Sequence, residues 1–163
     1  MKIGAISDTH DNLAAVSAAL RRFQEAGVEA ILHAGDYVAP FCLKRLLETP
    51  LPFQGVFGNC DGERAGLAKL LPELLDGPRH LELGGKKVCL VHVEKRLTPE
   101  DFEGADIVVC GHTHEPRIDQ REGRLIVNPG ECCGWLSGRC TVAIIDTRTM
   151  AADIQEVYQQ PRS

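Results

Sequence analysis

The sequence predicts an α/β fold. Short β-branched or aliphatic runs alternate with stretches whose apolar residues recur at three- and four-residue spacing, the alternation expected of a sheet with crossover helices. Turn-forming Gly, Asp and Asn residues punctuate the runs, and polar residues able to do chemistry follow the runs directly. Ligands of open α/β sheets bind outside the carboxyl ends of the strands. Both the fold class and the place of a site are therefore expected from one pattern.

The first unit is a strand at Lys2 to Ser7, a polar turn, and a helix from Asn12 to Ala26 with Leu13, Val16, Leu20 and Phe23 on one face. Asp11 or Asn12 supplies its N-cap, and Gly27 is placed for its C-terminal stop. A second strand, Ala30 to His33, ends at Gly35-Asp36 and precedes a helix around Cys42 to Leu47; a third, Phe53 to Phe57, ends at Gly58-Asn59. A helical stretch near Leu67 to Leu75 closes at Asp76-Gly77-Pro78, and strands at His80 to Leu83 and Lys87 to Val91 form a hairpin through Gly84-Gly85. After a short helix at Pro99 to Phe102, the strand Ile107 to Cys110 delivers Gly111-His112. The C-terminal third reads as strands at Arg117 to Gln120, Leu125 to Val127, Thr141 to Ile145 and Ile154 to Tyr158. With no linker and no internal repeat, residues 1–163 are expected to form one domain.

Composition narrows the function. A chain of 163 residues, 44% hydrophobic and 25% charged, falls in the ordinary globular range. Its 18 basic and 23 acidic residues give a net charge of −5, which disfavours duplex nucleic acid as a partner but leaves room for a small phosphate ester, because two divalent cations would dominate the field of their own cleft. No segment approaches the roughly 20 apolar residues of a membrane span, and the N-terminal run enters Asp8 without a signal-peptide pattern. Seven cysteines, an odd number, argue for reduced thiols and with the foregoing for a cytoplasmic protein.

Asp8-Thr9-His10, Gly35-Asp36, Gly58-Asn59, His92 and Gly111-His112-Thr113-His114 put Asp8, His10, Asp36, Asn59, His92, His112 and His114 forward as metal ligands. Each has a duller reading alone: Asp8 as a helix cap, Asp36 as a turn residue, a lone histidine as a satisfied core residue. Together, at successive strand ends, they supply the mixed oxygen and nitrogen donors of a two-metal phosphoesterase. Two dications about 3.5–4 Å apart need an anion between them, and Asp36 is the carboxylate chosen for that bridge. Four histidines, two aspartates and an asparagine without thiolate favour Mn²⁺ first, with Ni²⁺, Zn²⁺, Fe²⁺ or Co²⁺ as alternatives. Water shared by the two ions, acidified toward neutral pH, would attack phosphorus in line with the leaving group. No protein nucleophile is required.

This motif set resembles the calcineurin-like metallophosphoesterase superfamily, and Gly58-Asn59-Cys60-Asp61 is most similar to the small bacterial and archaeal phosphodiesterases of the YfcE type. The resemblance covers residues 1 to about 130 and includes Asn128-Pro129-Gly130. It implies a two-sheet β-sandwich of mixed strands flanked by helices. It also implies Asp8, His10 and His114 on one ion, Asn59, His92 and His112 on the other, and Asp36 between them. The protein is thus expected to be a metal-dependent phosphodiesterase acting on small phosphate esters, and the resemblance leaves room for a homo-oligomer, for which the sequence gives no readable interface.

Three positions depart from the pattern. Cys60 stands where many relatives carry a histidine that protonates the leaving group, and Asp61 is a second candidate donor only if burial raises its pKa. His92-Val93-Glu94 replaces His-Gly-His, so the loop bearing His92 is expected to differ, with Glu94 a solvated residue. Glu131 replaces a serine, so that hydroxyl's role is absent. The runner-up is a Vps29-like protein-binding scaffold without catalysis, and a third reading is a phosphomonoesterase or nuclease on the same site. The 32 residues between Asn59 and His92 are too few for a cap domain, so an open cleft is expected, shaped mainly by the Leu67 to Leu75 helix, with Arg64 and Lys69 as candidate phosphate contacts.

Overall fold

The computed structural model describes residues 1–160. Strand β1 (Lys2–Ile6) runs parallel to β2 (Ala30–His33), β2 to β3 (Phe53–Phe57), and β3 to the two-residue β4 (Leu75–Asp76). On the other side of β1 lie β10 (Arg139–Asp146) and β11 (Ala151–Gln159), each antiparallel to its neighbour, so the first sheet has the order β11-β10-β1-β2-β3-β4. The second sheet has β6 (Lys86–Leu90), β7 (Ile107–Val109) and β9 (Arg124–Asn128) parallel at its centre. Antiparallel edges β5 (Arg79–Leu83) and β8 (Arg117–Arg121) complete the order β5-β6-β7-β9-β8.

Strand alternation explains how the sheets stack. Ile3, Ala5, Leu32 and Val56 of the first sheet meet Val88, Leu90, Ile107, Val109, Leu125 and Val127 of the second in one buried cluster. The intervening residues point outward and are buried too. Ile6 and Ile31 pack under α1 (Leu13–Ala26), while Cys89, Val108 and Ile126 pack with Leu97 and with Phe102 of α4 (Pro99–Glu103). Strands covered on both faces need continuous apolar runs, which is why the central strands read that way in the sequence. Gly4 is the exception: a Cβ there would lie 2.8 Å from the Phe23 ring of α1.

Helix α1 starts at Asn12, whose side chain accepts from the Ala15 N–H, and stops at Gly27 in the left-handed conformation, φ 68°. Asp11 instead accepts from the N–H of Ala39, the residue preceding α2 (Pro40–Leu46). The helix expected over Leu67 to Leu75 is α3, Arg64–Leu70: Pro72 cannot continue it, and Leu75–Asp76 joins the sheet. Among the described residues no helix is long and apolar enough to cross a membrane.

The architecture carries every sequence-nominated residue to one end of the sandwich. Asp8, Asp36 and Asn59 follow β1, β2 and β3 of one sheet, and His92 and His112 follow β6 and β7 of the other. Parallel strands in both sheets thus deliver their carboxyl ends to a shared crevice.

Candidate metal centre

Asp36 lies at the middle of the cluster. Its Oδ2 is 3.5 Å from His10 Nε2 and 3.4 Å from His92 Nε2, while its Oδ1 accepts from the Cys60 N–H at 2.8 Å. Asp8 faces the other way across the crevice, with Oδ1 3.4 Å from His114 Nε2 and Oδ2 accepting from the His112 N–H at 3.1 Å. Asn59 Oδ1 closes the group, 2.9 Å from His92 Nε2 and 2.8 Å from His112 Nδ1. All seven nominated side chains therefore meet in one place.

The imidazole–carboxylate separations fit a cation better than they fit hydrogen bonds. Direct N–H···O bonds span about 2.7–3.2 Å, whereas two donors each about 2.1 Å from one ion at a tetrahedral angle sit about 3.4 Å apart. The three imidazole–carboxylate separations of 3.4, 3.4 and 3.5 Å match the second geometry. Asp8 Oδ1 and His10 Nε2 are buried and have no hydrogen-bond partner, a costly state for a polar atom unless something else satisfies it. The donors present fit divalent ions.

Strain points the same way. Asp8 (φ 51°), His10 (36°), Asp36 (63°), His112 (73°) and His114 (62°) all adopt the left-handed region that non-glycine residues avoid. Each costs about 1–3 kcal/mol, and such residues persist where the surroundings over-determine them. Here the surroundings are main-chain bonds: Asp8 N to Gly35 O (3.0 Å), Thr9 N and His10 N to Asp36 O (3.0 and 3.1 Å), Cys133 N to Asp8 O (2.9 Å) and Gly111 N to His92 O (3.0 Å). Glycine is obligatory at Gly58, where a Cβ would lie 2.0 Å from Asp36 Oδ1.

The carboxyl groups titrate in opposite directions. Burial pushes Asp8 above the usual carboxylate range. Burial also acts to raise Asp36, but the His92 imidazole and the Cys60 N–H outweigh it and hold Asp36 well below that range. Burial would lower the pKa of His92, yet Asp36 raises it overall. His92 Nδ1 lies 2.7 Å from the Ala34 carbonyl, which must accept from it, so Nε2 is the atom left to face Asp36 and Asn59.

Several expectations about flanking residues are corrected. Val93 sits in extended backbone, φ −109°, so the position needs no glycine here. Glu94 is not a solvated residue: it pairs with Arg117. Arg64 is taken up by Asp76, with 2.6 and 2.9 Å contacts, and does not stand free for phosphate. Asp61 is a buried clamp, accepting from the N–H groups of Gly58 (2.7 Å), Val38 (2.8 Å) and Asp36 (3.2 Å), which ties the loops bearing Asp36 and Asn59 together, and burial raises its pKa, the condition on which it stands as a candidate donor. Beside His10, the Trp135 indole donates to the His10 carbonyl at 3.4 Å.

Sequence reasoning missed Glu131 and Cys133. Glu131, 1% exposed, accepts from His114 Nδ1 at 2.9 Å, and the Cys133 thiol lies within 4.8 Å of ligand atoms of His10 and His114. A buried glutamate with an unusual number of donors around it has no signature in a linear sequence. His33 was also passed over; fully buried and held neutral by that burial, it accepts from the Gly35 N–H and donates through Nε2 to Thr9 Oγ1, which in turn donates to the Asp36 carbonyl.

Comparison with known proteins agrees with this fold. Residues 1–150 match the calcineurin-like phosphoesterase superfamily domain. The chain is 35% identical over 155 residues to Phosphodiesterase MJ0936 of Methanocaldococcus jannaschii, covering 90% of this chain and 93% of the relative. It is 28% identical over 147 residues to Phosphodiesterase YfcE of Escherichia coli, covering 80% and 78%. The solved structure of an archaeal phosphodiesterase superposes with a TM-score of 0.86 at 32% identity, over 96% of this chain and 99% of that one. That family implies divalent metal ions, and its two mixed sheets flanked by helices are those described above. The chain belongs to the calcineurin-like phosphoesterase superfamily and is a hydrolase of phosphoric esters.

Proposed function

We propose that the protein is a binuclear metal-dependent phosphodiesterase that hydrolyses small phosphodiesters by in-line displacement. The observation that carries this is the single oxygen Asp36 Oδ2, held 3.5 Å from His10 Nε2 on one side and 3.4 Å from His92 Nε2 on the other. A carboxylate so placed serves two ion sites at once. Asp8, His10 and His114 would hold the first ion and Asn59, His92 and His112 the second, with Mn²⁺ foremost among borderline metals. Ions bound there would neutralise phosphate oxygens and acidify water at neutral pH.

The chain's own residues divide the remaining work. Asp8 and Asp36 are anchored through their backbones and cannot swing away from the crevice. His112 and Asn59 reach its exposed side, where a phosphate would enter. Of the two candidate donors, neither is well suited to protonate the leaving group. Asp61 is committed to three main-chain N–H groups, and the Cys60 thiol, by burial and the nearby Asp36, is pushed up to about 11. The names of the relatives support diesters as substrates, and the net charge of −5 supports small ones over duplex nucleic acid. A cytoplasmic location fits seven free cysteines.

The test is the initial rate of bis-p-nitrophenyl phosphate hydrolysis by chelator-stripped protein titrated with Mn²⁺. The expected result is a rate that rises and saturates near two ions per chain. Folded protein that binds ions without turnover, in Mn²⁺, Ni²⁺ and Zn²⁺ alike, would return the reading to the Vps29-like scaffold.

A further inference from the structure

Glu131 is a fourth buried carboxylate at this end of the molecule, beside Asp8, Asp36 and Asp61, and the reaction proposed above gives it no part. Its main chain is fixed: Gly130 before it is left-handed at φ 79°, and its carbonyl accepts from Thr141 N at 3.0 Å in β10. Its side chain is surrounded by donors. Oε2 lies 2.9 Å from His114 Nδ1 and 3.2 Å from the Cys133 thiol, and both oxygens lie 3.1 Å from Leu136 N. Oε1 accepts from Ser137 N at 2.6 Å and from Ser137 Oγ at 2.7 Å.

These contacts fix a proton. A carboxylate whose two oxygens are both surrounded by donors has no hydrogen to give. The shared bond to His114 can then exist only with hydrogen on Nδ1. In the neutral ring Nε2 is left as a bare lone pair, 3.4 Å from Asp8 Oδ1, an oxygen that itself has no hydrogen-bond partner. Two unshared electron pairs face one another there, an arrangement that a cation between them would satisfy.

We infer that Glu131 is a positioning residue for the metal centre: it locks His114 in the Nδ1–H tautomer with Nε2 aimed at the ion site of Asp8, and with the same carboxylate it seats the 134–137 segment beside that ion. Outer carboxylates of this kind orient a ligating imidazole and raise its basicity. The inference rests on the metal-dependent reading above, and it makes the nearby position of Trp135 and the geometry of His114 consequences of one side chain. Trp135 projects its ring from this segment, 58% exposed, while its indole N–H holds the His10 carbonyl.

The first test needs no metal and no variant. Nitrogen-15 NMR of the His114 ring in metal-free wild-type protein, at a pH where imidazole is neutral, should find the proton on Nδ1; a proton on Nε2 overturns the inference. The second is calorimetric titration with Mn²⁺ of wild type, Glu131→Gln and Ser137→Ala, each checked for folding by circular dichroism. Glutamine must turn an amide N–H₂ toward either His114 or the 136–137 N–H groups, all of them donors. Glu131→Gln should therefore weaken one of the two ion sites by about 10–100-fold and spare the other, whereas Ser137→Ala, which loosens only the segment, should bind both ions as wild type does. Folded Glu131→Gln with unchanged affinities, or equal weakening in Ser137→Ala, rejects the positioning role. Wild-type protein that binds no Mn²⁺ would reject the metal reading instead, and the NMR result would still decide the role of Glu131 toward His114.

Discussion

The two halves of the crevice are built to different standards. On one side, Asp8 is fully buried and His114 is backed by a buried carboxylate that also fixes a loop. On the other, Asn59 and His112 are exposed, and His92 is backed by a main-chain carbonyl, that of Ala34. A carboxylate behind an imidazole raises its basicity more than a carbonyl does, and burial strengthens every electrostatic contact around it. On the binuclear reading proposed above, the buried half should hold an ion tightly, and the exposed half should meet substrate and exchange its ion more readily. Asp36 belongs to both.

Mutations that separate the halves put this contrast at risk. The largest effect is expected of Asp36→Asn, which removes the shared anion: ion binding should fail on both sides and diester hydrolysis should fall by more than about 10³-fold, beyond the cost of losing an outer partner. Wild-type turnover with full metal content, measured by elemental analysis beside the rate assay, would remove Asp36 from the bridge. Asn59→Ala should be narrower. It should release the ion of the exposed half, retain the other with near wild-type affinity, and slow turnover by about 10²-fold; release of both ions would show that the halves are not separable. Cys60→Ala is expected to do least, changing rates on aryl and alkyl diesters within about threefold, since a general acid would contribute 10²–10⁴-fold. A selective collapse on alkyl diesters, whose leaving groups need a proton, would instead make Cys60 the donor.

Much of the molecule is legible in the linear chain, for identifiable reasons. Buried parallel strands must be apolar on both faces, so Val88 to Val91 and Ile107 to Cys110 announce themselves. A residue that follows such a strand is at its carboxyl end, which is why Asp8, Asp36, Asn59, His92 and His112 could be nominated together. The third helix was misplaced because leucines at 67, 70, 71, 74 and 75 keep a helical spacing past Pro72, where the backbone cannot. The backbone at Val93 is hidden for a related reason: glycine is needed only where φ is positive, and nothing in the residue's name shows that its backbone here is extended.

The sequence alone determined the order of the strands and helices, the set of polar residues at their ends, and through them the class of chemistry. These follow from periodicity and residue type, which are local properties. The tertiary structure decided what those residues touch: that one oxygen of Asp36 lies between His10 and His92, that Asp61 accepts from main-chain N–H groups of two loops, and that Glu131 stands behind His114 across 17 residues of chain. Hydrogen bonding and ion binding act over a few ångströms in space, and separation along the chain does not record that distance.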